Sequence, residues 1–209
     1  MLIRKEAKEF MKNIKNLKIY KKCLIIVDMV NGFTKEGILH DEKILKVVPR
    51  QLELIQEYQN TGELIVFIKD SHSKDSTEFK RFGNTTHCLE NERESELIDE
   101  LKPFEYNSDT VSITKNSTSF MESPEFRELI TKLKNVNQVD IIGCCTDICV
   151  ANGAIGLANY FDQWNRNIEI NVHTDAVETY DSKSHDRSVY SEAAKLLMQQ
   201  QGIKLVKKK

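Results

Sequence analysis

Gly143-Cys144-Cys145-Thr146-Asp147-Ile148-Cys149-Val150 lies between two segments of different character. Before it, Gln138-Val139-Asp140-Ile141-Ile142 reads as a short buried strand. After it, residues 151–160 are rich in small side chains and apolar at helical spacing. A strand, a tight turn and a helix start therefore meet at Cys149. The amides and dipole of a helix N-terminus favour negative charge, so a cysteine there is expected to have a stabilised thiolate. A thiolate beside unpaired backbone N–H groups can attack a carbonyl and hold the oxyanion that results.

Working outward, the same strand-then-helix alternation recurs. Lys22-Cys23-Leu24-Ile25-Ile26-Val27-Asp28 is a continuous apolar run ending in a carboxylate, the pattern of a strand buried on both faces. Residues 44–58 carry apolar side chains at helical spacing and stop before Asn60-Thr61-Gly62. Residues 64–70 form a second strand ending in Asp70, and 111–115 a third ending in Lys115. A helix is expected over 125–134, with Pro124 suited to its first turn. A fifth strand over 168–172, a long helix over 184–200 and a sixth strand over 203–206 complete the chain. This alternation predicts an α/β three-layer αβα sandwich around a mostly parallel six-stranded, Rossmann-like sheet. Ligands of such sheets bind beyond the carboxyl ends of the strands. Asp28, Asp70, Lys115 and the Cys149 turn all lie at such ends, so the topology brings them to one rim.

Composition bounds the function. The 209 residues suit one domain, with 40% hydrophobic and 30% charged residues and a formal net charge of −2. That balance argues against duplex nucleic acid as a partner. No apolar run reaches the roughly 18 residues that span a bilayer. Residues 1–20 read as an amphipathic helical extension packed on the body of the protein, and they lack the apolar core of a secretion signal. Five cysteines, an odd number, fit a reducing cytoplasm better than a disulfide framework. Cys144, Cys145 and Cys149 do not make paired C-x-x-C zinc spacing. Domains of this size often dimerise, so a homo-oligomer is a reasonable expectation, although no interface is legible.

An aspartate, a lysine and a cysteine at successive strand ends resemble the isochorismatase-like cysteine hydrolase superfamily, and within it the nicotinamidases. The matching residues are Leu24-Ile25-Ile26-Val27-Asp28 with Asn31 and Phe33, then Lys115, then the Gly143–Val150 turn, and the similarity runs from roughly residue 22 to 206. The resemblance implies hydrolysis of nicotinamide to nicotinate and ammonia in NAD salvage. In that scheme Cys149 is the nucleophile, Asp28 the proton carrier and Lys115 the cation beside both. The backbone N–H groups of Cys145 and Cys149 form the oxyanion hole, worth about 3–4 kcal/mol per donor. A cis peptide is implied between Cys144 and Cys145.

The same resemblance implies one divalent metal ion, with zinc favoured over iron or manganese, that binds the pyridine nitrogen of the substrate. It places the ligands at Asp70, His72, Glu78 and His87, a donor set suited to those metals. Phe33 matches the position that packs on the pyridine ring, and Phe82 is a candidate for the opposite wall. His40, His173 and His185 read as structural or solvated, and Asp147 as a residue that shapes the turn. Two other readings stay open: a related amidase acting on another small amide or carbamoyl compound, and a non-catalytic metal- or redox-sensing protein.

Overall fold

In a computed structural model that describes residues 18–208, the expected sheet is present and every pairing in it is parallel. The strands are β1 (Lys22–Val27), β2 (Leu64–Asp70), β3 (Thr110–Lys115), β4 (Gln138–Cys144), β5 (Glu169–Glu178) and β6 (Lys204–Val206). Their spatial order is β3-β2-β1-β4-β5-β6. The order reverses between β1 and β4, which places a crevice beyond their carboxyl ends. Of the helical extension expected over residues 1–20, residues 1–17 lie outside the described residues and 18–20 are irregular.

The helices are α1 (Asn31–Thr34), α2 (Val48–Thr61), α3 (Glu78–Arg81), α4 (Pro124–Lys132), α5 (Ala151–Gln163) and α6 (Arg187–Gln200). α2 begins later than its periodicity predicts, because a 3-10 turn over Glu42–Val47 precedes it and Pro49 occupies its first turn. It ends at Gly62, which has φ 62°.

Side-chain alternation along the strands divides the core. Cys23, Ile25 and Val27 of β1, with Val139 and Ile141 of β4, face Phe126, Leu157, Phe161 and Met198 from α4, α5 and α6. Leu24, Ile26, Phe67 and Ile142 face Ile55 and Tyr58 of α2 on the other side. β1 and β2 are buried along almost their whole length, as expected of central parallel strands.

Two departures matter at the rim. β5 continues to Glu178 past a register shift against β4 between Ile141 and Gly143. Cys149 does not open an α-helix but sits within a π-turn, Thr146–Val150, ahead of α5.

Candidate active site

Each reactive side chain sits where its strand ends. Asp28 follows β1 with φ 50°, in the left-handed region that aspartate tolerates better than most residues. Asp70 and Lys115 close β2 and β3 and are register partners. The cis peptide expected between Cys144 and Cys145 is present.

The Lys115 ammonium is the hub. Its Nζ lies 2.7 Å from Asp28 Oδ2, 2.8 Å from Asp70 Oδ1 and 3.5 Å from Cys149 Sγ. All four residues are buried. Burial disfavours the Lys115 cation, but Asp28 and Asp70 outweigh it and hold its pKa well above the usual lysine value. Burial also raises Asp70; there Lys115 and the hydrogen bonds of His72 and His87 win and keep it well below the carboxylate range. At Asp28 burial dominates. Lys115 pulls against it and Asp70 adds to it, leaving a carboxyl pushed up to about 6.

Cys149 departs from the expected thiolate. Burial pushes the thiol well above its ordinary value, and Lys115 only partly offsets that. Within the π-turn the N–H groups of Ile148 and Val150 are taken up by the Cys145 carbonyl, so they are not free to hold an anion as those of an open helix end are. Burial thus favours the protonated thiol at Cys149 and leaves a place for a neighbouring base. Asp28 is placed for that part: its Oδ2 sits on the same ammonium, and its Oδ1 is buried without a hydrogen-bond partner.

Beside this triad, Asp70, His72 and His87 bring donor atoms within 4.8 Å of one another. His72 Nε2 and His87 Nε2 lie 2.8 Å and 3.4 Å from Asp70 Oδ2. Their other nitrogens face Ser76 Oγ and the Thr85 carbonyl, each at 3.0 Å. This outer layer orients both imidazoles. Two imidazoles and a carboxylate fit a zinc-type ion, with iron and manganese also suited.

Glu78, expected as a fourth ligand, is outside that cluster. It stands half-buried at the start of α3 on the pocket wall, where burial and then Asp70 raise its pKa.

The pocket beyond these groups measures about 620 Å³. Phe33 and Phe82 both line it, as expected, with His87 between them at ring-centroid distances of 5.8 Å and 6.4 Å. Several lining residues escaped sequence reasoning, including Ile38, Asp41, Thr118, Ile148 and Tyr180. Asp41 pairs with Arg187 at the start of α6 and accepts from the Asp181 N–H, and so ties the loop after α1 to the loop after β5. His40, read as structural or solvated, is exposed and lines the rim. Cys23 and Cys144 are buried packing residues, and Cys144 Sγ donates to the Asp28 carbonyl at 3.0 Å.

Comparison with known proteins places the chain in one family. The profile of the Isochorismatase domain matches residues 22–200. Nicotinamidase 1 of Arabidopsis thaliana is 31% identical over 140 residues, covering 61% of this chain and 56% of the plant protein, so the match spans little more than half of that relative. The pyrazinamidase of Pyrococcus horikoshii, solved in complex with zinc, superposes with a TM-score of 0.71 at 26% identity, covering 90% of this chain and 99% of its own. The N-carbamoylsarcosine amidase of Thermoplasma acidophilum gives 0.68 at 26% identity, covering 90% and 96%.

Proposed function

Because this chain belongs to the isochorismatase family of hydrolases, we propose that it is a nicotinamidase, converting nicotinamide and water to nicotinate and ammonia. One observation carries the reading. Lys115 joins a buried thiol and its candidate base, Asp28, to the carboxylate of an Asp–His–His cluster. A general thiol amidase has no use for that cluster, whereas a substrate with a ring nitrogen does.

Asp70, His72 and His87 would hold a divalent ion, which when bound supplies a Lewis-acid position for the ring nitrogen. Phe33 and Phe82 flank the ring and fix the carboxamide against Cys149. Asp28 takes the thiol proton as sulfur attacks the carboxamide carbon. The backbone N–H groups of Cys145 and Cys149 receive the oxyanion, and Lys115 keeps the site cationic throughout. Asp28 then delivers its proton to the nitrogen as the C–N bond breaks, because expelling an unprotonated amide is prohibitive. Ammonia leaves and a thioester remains. Asp28 next takes a proton from water, which attacks the thioester, and the proton passes to sulfur as nicotinate departs.

The acid limb of the pH profile follows from Asp28. It must be ionised to accept the thiol proton, and its folded pKa lies at about 6. We therefore expect kcat/KM to fall about tenfold per pH unit below that value. Asp28→Asn should remove turnover across the whole pH range. A profile flat down to pH 5 would reject Asp28 as the base.

Metal content gives a second check. Purified protein should hold about one divalent ion per chain. His72→Ala should lose that ion and most nicotinamide turnover, and dialysis against a chelator should do the same. The likeness to N-carbamoylsarcosine amidase favours one other reading, an amidase for a small carbamoyl compound. Metal-free protein with full activity on such a compound, and none on nicotinamide, would establish it.

A further inference from the structure

The loop between β5 and α6 carries a buried histidine that the chemistry above does not use. His185 is 6% exposed. Its ring lies between two tyrosines, with centroids 3.9 Å from Tyr180 and 3.9 Å from Tyr190, stacked at 12° and 25°. Nδ1 faces the Tyr180 carbonyl at 3.1 Å, and Nε2 faces Asp147 Oδ2 at 2.8 Å. The other oxygen of Asp147 accepts from the Thr179 hydroxyl at 2.5 Å. The ring is thus fixed in plane, tilt and rotation, and what it grips is a carboxylate two residues from Cys149.

That grip acts on a segment needing outside support. The Thr146–Val150 π-turn is an uncommon backbone form, and the N–H groups of Ile148 and Val150 both converge on the Cys145 carbonyl at 3.1 Å. Asp147 is the residue through which the hydrogen bonds of His185 and Thr179 reach that turn. The loop that holds His185 also lines the pocket, through Tyr180, Asp181 and Ser182. One side chain thus connects the wall that receives substrate with the turn that bears sulfur.

We propose that His185 is a positioning residue which, through Asp147, sets the orientation of the Cys149 turn. The inference rests on reading Cys149 as the nucleophile. It differs from simple packing, since a phenyl ring would fill the same space between the tyrosines but make neither hydrogen bond.

His185→Phe tests this difference. We expect kcat for ammonia release from nicotinamide to fall about 100-fold, the scale on which small misplacements of reacting groups act, with KM within about 3-fold. Hydrogen exchange over residues 145–150 should quicken about 10-fold while the amides of β1 and β2 keep their protection. His185→Gln, whose side-chain amide can donate to Asp147, should recover kcat to within about 10-fold of the parent. The proposal is overturned if His185→Phe keeps kcat within about 3-fold, if protection is lost throughout the sheet, or if Gln is no better than Phe. If the parent protein releases no ammonia from any amide, the nucleophile reading fails. Exchange at 145–150 then decides by itself whether His185 holds the turn.

Discussion

Cys149→Ala is expected to abolish ammonia release, lowering kcat by roughly 10⁴-fold or more, while the fold persists. The sulfur is the only atom proposed to bond with the substrate carbon, and no neighbour replaces it. Cys145 lines the same pocket, but its amide is assigned to the oxyanion and its thiol makes no contact with Lys115 comparable to the 3.5 Å of Cys149. Loss of one buried sulfur should cost only about 1 kcal/mol of stability, so circular dichroism and the urea midpoint should hardly change. Lys115→Ala is a poorer test. It leaves Asp28 and Asp70 buried without their shared cation, and breaking such a buried pair typically costs about 3–5 kcal/mol, so lost activity there could reflect lost fold. Ammonia assayed against nicotinamide, with a stoichiometric thiol titration to prove the substitution, decides the matter. Retained activity in Cys149→Ala would remove the thioester from the mechanism.

Why the strand ends were legible, and the turn between them less so, is a question of range. β1 and β2 announce themselves because a strand buried on both faces must be apolar throughout, and Asp28 and Asp70 break those runs where the backbone reaches the rim. Parallel pairing then brings Lys115 beside Asp70 with no local motif needed. The π-turn has no such signature, because five residues with one extra backbone atom set look like the first turn of a helix. The apolar pattern of β5 ends at Val172, where His173, Thr174 and Asp175 interrupt it; the strand continues because its backbone still pairs, with β6 at His173 and with β4 at Val177 and Glu178.

The candidate site was only partly readable for the same reason. Asp70, His72, Glu78 and His87 were all implied by the resemblance; the fold brings Asp70, His72 and His87 together, while Glu78 stands outside that cluster on the pocket wall. The pairs Asp147–His185 and Asp41–Arg187 join residues far apart in the chain, so only the folded topology reveals them. The depth at which Cys149 lies is a quantity that sequence does not carry: burial raises its thiol more than the single nearby ammonium lowers it, which fits the proton-carrying role the resemblance gives Asp28.

Gly143→Ala is the substitution expected to damage the fold most, by about 3–5 kcal/mol or enough to prevent accumulation of folded protein. Gly143 has φ +124°, outside the range that L side chains accept. Space is the larger obstacle: a Cβ there would lie 2.1 Å from the Val27 carbonyl oxygen and 2.6 Å from its nitrogen. Both are backbone atoms of a central strand, so no rotamer change relieves the contact, and β1 and β4 must separate where Val27 pairs with Gly143. The damage would reach the site directly. Asp28 follows Val27, and Cys144 bonds to the Asp28 carbonyl at 3.0 Å, so spreading these strands moves base and nucleophile apart. Gly202→Ala is the matched control. Its φ is +75°, but nothing lies within 4 Å of the added carbon, so it should cost only about 1 kcal/mol of backbone strain. Urea denaturation of the two variants beside the parent separates conformation from contact. If Gly143→Ala lost no more stability than Gly202→Ala, the close approach of β1 and β4 would not be what requires glycine beside the cysteine turn.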